Sequence, residues 1–296
     1  MDVLFCYGIP CWLISYIILV ILYLIRSIGE DIMLKKIVCL IFALLVSAAA
    51  GCTPSESVSV DGSTSMNKVI GMLAESFENE TGISVTFNPT GSGAGIQAVM
   101  DGRSEIGLSS RALTESELSK GLTATVLAYD GIALIVHPEN PVKNLSMSEV
   151  QKIFTGKVTS WSALGGADLK IVLIGRESGS GTRDGFESVT DTVGKCRYRQ
   201  ELTSSGDVIT AVAGNINAIG YTSLAAVKER AKILSIDGVV PSEKTIQNGT
   251  YPLQRPFVLV TSQKTPLSES AEIFMSYITS REAHEFIYRA GVVPAS

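Results

Sequence analysis

Residues 175–182 read Gly-Arg-Glu-Ser-Gly-Ser-Gly-Thr, between an apolar run that predicts a strand and an amphipathic pattern that predicts a helix. The first turn of a helix has free N–H groups and a positive dipole, and glycine lets a ligand approach the main chain. Arg176 adds a planar fork of donors that matches two oxygens of a tetrahedral anion, and Ser180 and Thr182 add hydroxyl groups. Serine is also a common N-cap, so one such loop on its own is more typical of ordinary helix capping.

Two other loops have the same character. Asp-Gly-Ser-Thr-Ser at 61–65 and Thr-Gly-Ser-Gly-Ala-Gly at 90–95 also lie between a predicted strand and a predicted helix. Ligands of open α/β sheets bind outside the carboxyl ends of the strands. Three donor-rich loops at such ends therefore predict a cleft that binds an oxyanion.

Strands and helices alternate along most of the chain, which predicts an α/β fold with a mainly parallel sheet. The periodicity predicts strands at residues 57–60, 83–87, 106–108, 132–136, 171–174, 218–221 and 257–260. It predicts helices at 65–80, 93–100, 148–154, 182–189, 207–213, 270–278 and 281–288.

Composition excludes several classes of protein. The 296 residues are 46% hydrophobic, so the chain has enough apolar material for a large core and is not disordered. The formal net charge of -5 argues against a nucleic-acid partner, because binding to phosphate backbones requires a basic face.

The N-terminus carries two apolar runs, at 9–25 and 37–46. The second follows Lys35 and Lys36 and leads to Ala-Ala-Gly-Cys at 49–52, which resembles the cleavage box of a bacterial lipoprotein signal with Cys52 as the lipidated residue. Met33 is then the expected start, and residues 1–32 are either an extra membrane segment or an early gene start. The alternative is an uncleaved pair of membrane helices. Both place the rest of the chain on the extracytoplasmic face of the cell membrane.

The cysteines agree with this assignment. Cys6, Cys11 and Cys39 lie in the targeting region, and Cys52 is the expected lipid site. Cys196 is left alone in the folded part, so no intramolecular disulfide is expected there and an inert thiol is the favoured interpretation.

Enzyme motifs are absent from the glycine-rich loops. A Walker loop ends in Gly-Lys-Ser/Thr, whereas this chain has Gly181 followed directly by Thr182, and Ile96 stands where a dinucleotide fingerprint needs glycine. Only His137 and His284 could act as a histidine base, and no metal cluster or cofactor motif is present. We therefore expect a binding protein without a cofactor; the enzyme alternative is an extracytoplasmic phosphatase that uses Ser180 as its nucleophile.

Six segments in order resemble one known family. They are Gly-Ser-Thr-Ser at 62–65, Gly-Ser-Gly at 91–93, Ile-Gly-Leu-Ser-Ser-Arg at 106–111, Phe-Thr-Gly-Lys at 154–157 with Trp161, Arg-Glu-Ser-Gly-Ser-Gly-Thr-Arg at 176–183, and Asn-Ala-Ile-Gly-Tyr at 217–221. Together they resemble the PstS-type phosphate-binding proteins of the ABC phosphate importer. The resemblance covers nearly the whole chain after residue 52.

The resemblance implies a two-lobed periplasmic-binding-protein fold of type II, each lobe a mixed, mainly parallel sheet flanked by helices. It implies a first lobe at 57–129 plus 257–296 and a second at 130–256, with crossovers near 129–131 and 252–256. The implied function is capture of inorganic phosphate by a monomer held at the membrane by a lipid or an N-terminal helix, and delivery to ABC permease subunits. A sensor or adhesin without a permease is the alternative within the same fold.

Carried over by position, the resemblance implies nine ligand contacts: Ser63, Thr64, Ser65, Ser92, Ser110, Arg176, Ser180, Gly181 and Thr182. Some family members have an aspartate where this chain has Ser110, and that carboxylate accepts the proton of hydrogen phosphate. Other members carry Ser-Ser-Arg there, so phosphate stays favoured, with sulfate and molybdate as alternatives. Glu177 or Asp184 could replace the lost acceptor. We expect Glu177 to pair with Arg176, and Arg183 to lie on a solvated face.

Overall fold

The computed structural model describes residues 57–227 and 230–295, which lie in one compact unit. The predicted signal, the expected start at Met33 and the lipid site at Cys52 lie outside the described residues. Within the described ranges no helix combines the length and the apolar character needed to cross a membrane.

The regular elements alternate as the sequence predicts. The strands are β1 Ser57–Gly62, β2 Ser84–Asn88, β3 Ile106–Ser109, β4 Leu122–Val136, β5 Asn144–Leu145, β6 Val172–Arg176, β7 Gln200–Leu202, β8 Ala218–Ser223, β9 Lys232–Ile233, β10 Ser235–Ile236, β11 Gln254–Ser262 and β12 Val293–Pro294. The α-helices are α1 Asn67–Thr81, α2 Ser92–Met100, α3 Glu115–Ser119, α4 Met147–Phe154, α5 Gly181–Val189, α6 Ser205–Ala213, α7 Glu243–Gln247, α8 Glu269–Ile278 and α9 Ala283–Arg289. Short 3₁₀ turns cover Thr64–Met66, Trp161–Leu164 and Leu224–Ala226.

The main sheet has the order β2-β1-β3-β11-β4-β8-β6-β7. Strands β1, β2 and β3 pair in parallel at one end, and β6, β7 and β8 pair in parallel at the other. The long strand β4 joins these two halves: it pairs antiparallel with β11 up to Gly131 and with β8 from Ile132 onward. The sequence patterns predict only its second part, because the residues before Leu127 are mostly exposed and lack a strong apolar alternation.

Each half has its own apolar core. Helix α1 buries Val69, Ile70, Leu73 and Phe77, which recur at helical spacing, and it ends at Gly82 in the left-handed conformation that glycine allows. In the second half Phe154, Phe186 and Tyr221 form a cluster of rings, and Trp161 is buried beside them. The predicted mixed, mainly parallel sheets with flanking helices are therefore confirmed. The exact lobe boundaries stay a prediction, although the expected crossover at 129–131 falls within β4 where its pairing partner changes.

Candidate oxyanion-binding site

The predicted loops lie at the carboxyl ends of β1, β2 and β6, and Ser110 directly follows β3. The Ser63 hydroxyl caps the 3₁₀ turn after β1 by accepting the N–H of Ser65 at 3.3 Å. The Ser180 hydroxyl caps α5 by accepting the N–H of Arg183 at 3.4 Å. Helix α2 begins at Ser92, directly after a glycine with positive φ. Three helical first turns thus present main-chain N–H groups to the same region.

Hydroxyl groups from the first half meet around Ser110. Ser63 Oγ donates to Ser110 Oγ at 2.9 Å, and Ser92 Oγ lies 3.3 Å from the same atom. The main-chain N–H of Ser110 donates to Ser92 Oγ at 3.0 Å. Thr64 Oγ1 lies in the same loop, is buried, and has no hydrogen-bond partner in the described part of the chain. A buried hydroxyl of this kind favours a ligand contact.

Hydroxyl groups also meet between the two halves. Ser65 Oγ lies 2.8 Å from Thr182 Oγ1 and 3.1 Å from Ser205 Oγ. The six serines of the site and Thr182 are almost fully buried: Ser63, Ser65, Ser92, Ser110, Ser180, Ser205 and Thr182. The structure therefore brings all nine predicted site residues together at one cleft.

Glycines allow the halves to approach this closely. A Cβ at Gly181 would lie 2.7 Å from Ser110 Oγ and would overlap Ser92 Oγ. The N–H of Gly93 donates to the carbonyl of Gly179 at 2.9 Å, so main chain meets main chain across the cleft. The narrow gap therefore requires glycine at position 181, whereas a Cβ at Gly93 would lie 3.3 Å from Gly179 and would need only a small shift of the main chain.

Arg176 is the buried cation of the cleft, with 1% of its surface exposed. Its Nε and Nη2 donate to both carboxylate oxygens of Glu177 at 3.0 and 2.9 Å, which confirms the predicted pair. The carbonyls of Leu202 and Thr203 accept from the same two nitrogens. Within residues 57–227 and 230–295 the one hydrogen-bond partner of Nη1 is Ser205 Oγ, at 3.4 Å, so this end of the fork keeps donor capacity for an anion.

Arg183 does not lie on a solvated face, and that expectation is wrong. Its side chain is 20% exposed and pairs with Glu187 at 2.8 Å and Glu201 at 3.1 Å. It also donates to the carbonyl of Arg176 at 3.0 Å and lies over the ring of Tyr198. The reason is that Arg183 pairs with Glu187 one turn later on α5 and also with Glu201 on β7, and the second partner is distant in sequence.

Both carboxylates that could accept a ligand proton are engaged. Glu177 is bound to Arg176, and Asp184 is bound to Arg111 at 2.9 Å. Burial raises the pKa of Asp184, and the neighbouring guanidinium of Arg111 opposes that shift. Their role as proton acceptors stays a prediction.

Arg111, which follows Ser110, is held in place within its own half. Two of its nitrogens donate to the two oxygens of Glu117, each at 2.8 Å. These bonds hold the pKa of Glu117 at about 2. Glu117 also forms a capping box with Thr114 at the start of α3.

Sequence reasoning missed Ser205. It begins α6 after β7, and its hydroxyl contacts both Ser65 and Arg176. Thr-Ser-Ser-Gly at 203–206 is a fourth small, polar segment between a strand and a helix, and this signal was available once β7 had been recognised.

The other reactive side chains stand apart from the cleft. Cys196 donates to Thr192 Oγ1 at 3.3 Å, and burial raises the pKa of its thiol. His137 Nδ1 accepts the N–H of Glu139 at 3.2 Å in a turn. Across residues 57–227 and 230–295 no group of histidine, cysteine and carboxylate side chains is arranged to hold a metal ion.

The PBP superfamily domain matches residues 47–282 of this chain. The PstS phosphate-binding protein of Bacillus subtilis is 32% identical over 249 residues, which cover 82% of each chain. The chain belongs to the PstS-type phosphate-binding proteins of the PBP superfamily.

Other PstS-type proteins extend this comparison. PstS of Borreliella burgdorferi is 29% identical over 277 residues, covering 87% of this chain and 98% of that protein. The crystal structure of a putative phosphate ABC transporter substrate-binding protein from Clostridium perfringens, with bound phosphate, aligns with a TM-score of 0.79 and 38% identity. The alignment covers 81% of this chain and all of that one. The two halves of the sheet are therefore the two lobes of the PBP fold.

Proposed function

We propose that this chain is an extracytoplasmic receptor that captures inorganic phosphate between its two lobes and delivers it to the permease of an ABC importer. The observation that carries the proposal is the meeting of buried hydroxyls from both lobes beside Arg176, with Ser65 Oγ 2.8 Å from Thr182 Oγ1. A tetrahedral oxyanion needs many donors from several directions, and this cleft supplies them. The relatives named as phosphate-binding proteins support phosphate as the anion.

The proposed ligand contacts are the nine residues predicted from the sequence: Ser63, Thr64, Ser65, Ser92, Ser110, Arg176, Ser180, Gly181 and Thr182. The hydroxyls, the Arg176 fork and the N–H groups of α5 would surround the anion on both sides. Hinge motion at the crossover strands would open and close the lobes around it. The ligand would travel from the open cleft of this receptor to the membrane permease.

Calorimetric titration of the purified chain with phosphate, sulfate and molybdate tests the proposal. We expect phosphate to bind with a micromolar or tighter Kd, which is about -8 kcal/mol or better. Absence of binding by all three anions at micromolar levels would refute it. Tight binding of sulfate or molybdate with weak binding of phosphate would leave an oxyanion receptor with another cargo.

Anion identity depends on Ser110, which can donate or accept a hydrogen bond. Because no aspartate stands at this position, discrimination against sulfate would rest on Glu177, Asp184 or the serine hydroxyls. Competition of phosphate against sulfate across pH measures this directly. Hydrogen phosphate keeps one proton above the second phosphate pKa, which lies at about 6–7, whereas sulfate carries none. A site that requires a protonated ligand should therefore bind phosphate and reject sulfate across the neutral pH range.

Binding without catalysis is part of the proposal. Ser180 is engaged as the N-cap of α5, and no histidine is among its hydrogen-bond partners in the part of the chain that the structure describes. A serine hydrolase needs such a base. Turnover of a chromogenic phosphate ester that disappears in Ser180→Ala would contradict this part of the proposal.

Attachment to the membrane through Cys52, or through an uncleaved N-terminal helix, completes the proposal, with a monomer as the working unit. The support is the signal-like sequence before Cys52. Mass spectrometry of the protein from membranes should find a diacylglyceryl group on Cys52 and a chain that begins there. Full-length protein with an unmodified Cys52 would favour the helix anchor.

A further inference from the structure

A buried ion pair lies where the crossover strands meet. Asp130 of β4 and Arg255 of β11 are directly paired residues of the antiparallel ladder, and they are 0% and 3% exposed. Asp130 Oδ2 accepts from Nη2 of Arg255 at 3.0 Å and from its Nε at 3.3 Å. Moving two charged side chains out of water costs free energy, and the attraction between them often does not offset that cost. Stability alone therefore does not explain this pair, and its other contacts indicate its role.

The third nitrogen of Arg255 reaches the anion site. Nη1 donates to the main-chain carbonyl of Ser110 at 3.3 Å. The main-chain N–H of Ser110 is held from the other side by Ser92 Oγ at 3.0 Å. Both peptide groups that flank Ser110 are thus fixed, and this sets the direction of its side chain.

The pair also lies close to the helix and the strand of the second lobe that face the site. A Cβ at Gly185, in the helix α5 that carries the second half of the site, would lie 3.5 Å from Arg255 Cδ. Asp130 Oδ1 accepts the N–H of Ala225, just after β8, at 3.4 Å. The Arg255 guanidinium therefore contacts a ligand loop of the first lobe, and the aliphatic part of the same side chain lies close to the ligand helix of the second.

We propose that Asp130 and Arg255 are positioning residues for the anion site. Asp130 aligns the Arg255 guanidinium, and the guanidinium holds the main chain of Ser110 so that its hydroxyl is directed at the ligand. Because the pair sits on the two crossover strands, it makes the geometry of Ser110 depend on the arrangement of the lobes. This inference rests on the proposed function, phosphate capture.

A double-mutant cycle between Arg255→Lys and Ser110→Ala tests the inference. Lysine keeps the positive charge beside Asp130 but lacks the fork that reaches two partners at once. We expect each single substitution to weaken phosphate binding about tenfold, since each loses one net hydrogen-bond interaction with the site. Because Arg255 acts through Ser110, the double variant should bind about as weakly as either single variant.

Tyr251→Phe is the matched control. Its hydroxyl is buried in the same crossover region and donates to the carbonyl of Ile132 at 2.8 Å, without contact to Ser110. We expect Tyr251→Phe to lower stability by about 1 kcal/mol, as a lost buried hydrogen bond does, and to leave the phosphate Kd unchanged. Thermal unfolding monitors the fold of every variant.

Each outcome is decisive. Losses that multiply to about a hundredfold in the double variant would show independent sites and overturn the inference, while phosphate capture by the parent chain would stand. If Arg255→Lys does not fold, the neutral pair Asp130→Asn with Arg255→Gln replaces it in the cycle. If neither folds, the pair stabilises the crossover strands and does not position Ser110. A parent chain that binds no phosphate would overturn the inference together with the proposed function.

Discussion

Arg111 Nε lies 2.9 Å from Asp184 Oδ2, and this ion pair joins the first lobe to the second. Arg111 directly follows Ser110, and Asp184 lies two residues after Thr182, so the pair connects the two loops that we assign to the anion. Glu117 holds the other end of the guanidinium with two bonds of 2.8 Å. Contacts within the first lobe therefore fix the orientation of the Arg111 guanidinium that pairs with Asp184.

We expect Asp184→Asn to speed the release of phosphate. Asp184 is 42% exposed, so the pair contributes only the modest energy of a partly solvated ion pair, and the release rate should rise about two- to fivefold. Stopped-flow release measurements at low and high salt would show this, because salt weakens such a pair in the parent chain.

Asp191→Asn is the control for this rate. Asp191 pairs with Lys195 at 3.8 Å on the exposed surface of the second lobe, away from the first. An equal release rate in the parent chain and both variants would contradict a role of Arg111 and Asp184 in holding the lobes together.

Arg176→Ala should raise the Kd for phosphate strongly, whereas Arg183→Ala should raise it only slightly. Arg176 is buried with donor capacity left at Nη1, and a hydrogen bond to a charged group contributes about 1.5–3 kcal/mol, or roughly ten- to a hundredfold in Kd per bond. Arg183 is already occupied by Glu187 and Glu201. Titration calorimetry of both variants, with unfolding curves as the control for folding, checks the ranking. Equal losses would show that we assigned the wrong arginine.

The local part of the fold and site could be predicted from sequence. Serine, glycine and threonine between a strand and a helix supply N-caps and anion-binding N–H groups at the helix N-terminus. This pattern in the sequence located Ser63, Ser92 and Ser180. Helix α1 was predictable because its apolar residues recur every three or four positions.

The missed features depend on partners distant in sequence. Asp130 and Arg255 are 125 residues apart, and each looks unremarkable in its own segment. Arg183 looked solvated because Glu201 comes from another strand. Ser205 was missed for another reason: the three-residue strand β7 before it has too few residues to show a period.

Ser205→Ala should weaken phosphate binding without loss of the fold. Its hydroxyl contacts Ser65 and Arg176, so its removal takes away one polar partner and should raise Kd about three- to tenfold. Calorimetry measures the change. The neighbour Ser204 provides a matched control, since its hydroxyl caps α6 by accepting the N–H of Asp207 at 3.0 Å. Ser204→Ala should lower stability by about 1 kcal/mol and leave Kd unchanged. The reverse pattern would exclude Ser205 from the site.

The Glu117 carboxylate should stabilise the fold at neutral pH and not in acid. Its pKa is lowered to about 2, first by its hydrogen bonds with Arg111, so its ionised form is favoured by folding. A lowered folded-state pKa stabilises above the ordinary value of 4.5, and this contribution is lost as the pH falls from there towards 2. Urea unfolding of the parent chain and Glu117→Gln should therefore differ near neutral pH, and the difference should shrink below about pH 4.5 and vanish only near about pH 2. A constant difference across this range would contradict the assignment.

Gly181→Ala should produce a folded chain whose lobes cannot close. The added methyl group would lie 2.7 Å from Ser110 Oγ and would overlap Ser92 Oγ, both in the first lobe, whereas the start of α5 itself tolerates alanine. Phosphate affinity should fall by at least about a hundredfold, because the contacts of one lobe are lost together. Small-angle scattering should show no compaction when phosphate is added. Gly71→Ala is the control: it lies in the interior of α1 with open space around it, so alanine should stabilise the chain by about 0.5–1 kcal/mol without changing Kd. Retained affinity in Gly181→Ala would mean that the anion is bound without this close approach of Gly181 to Ser92.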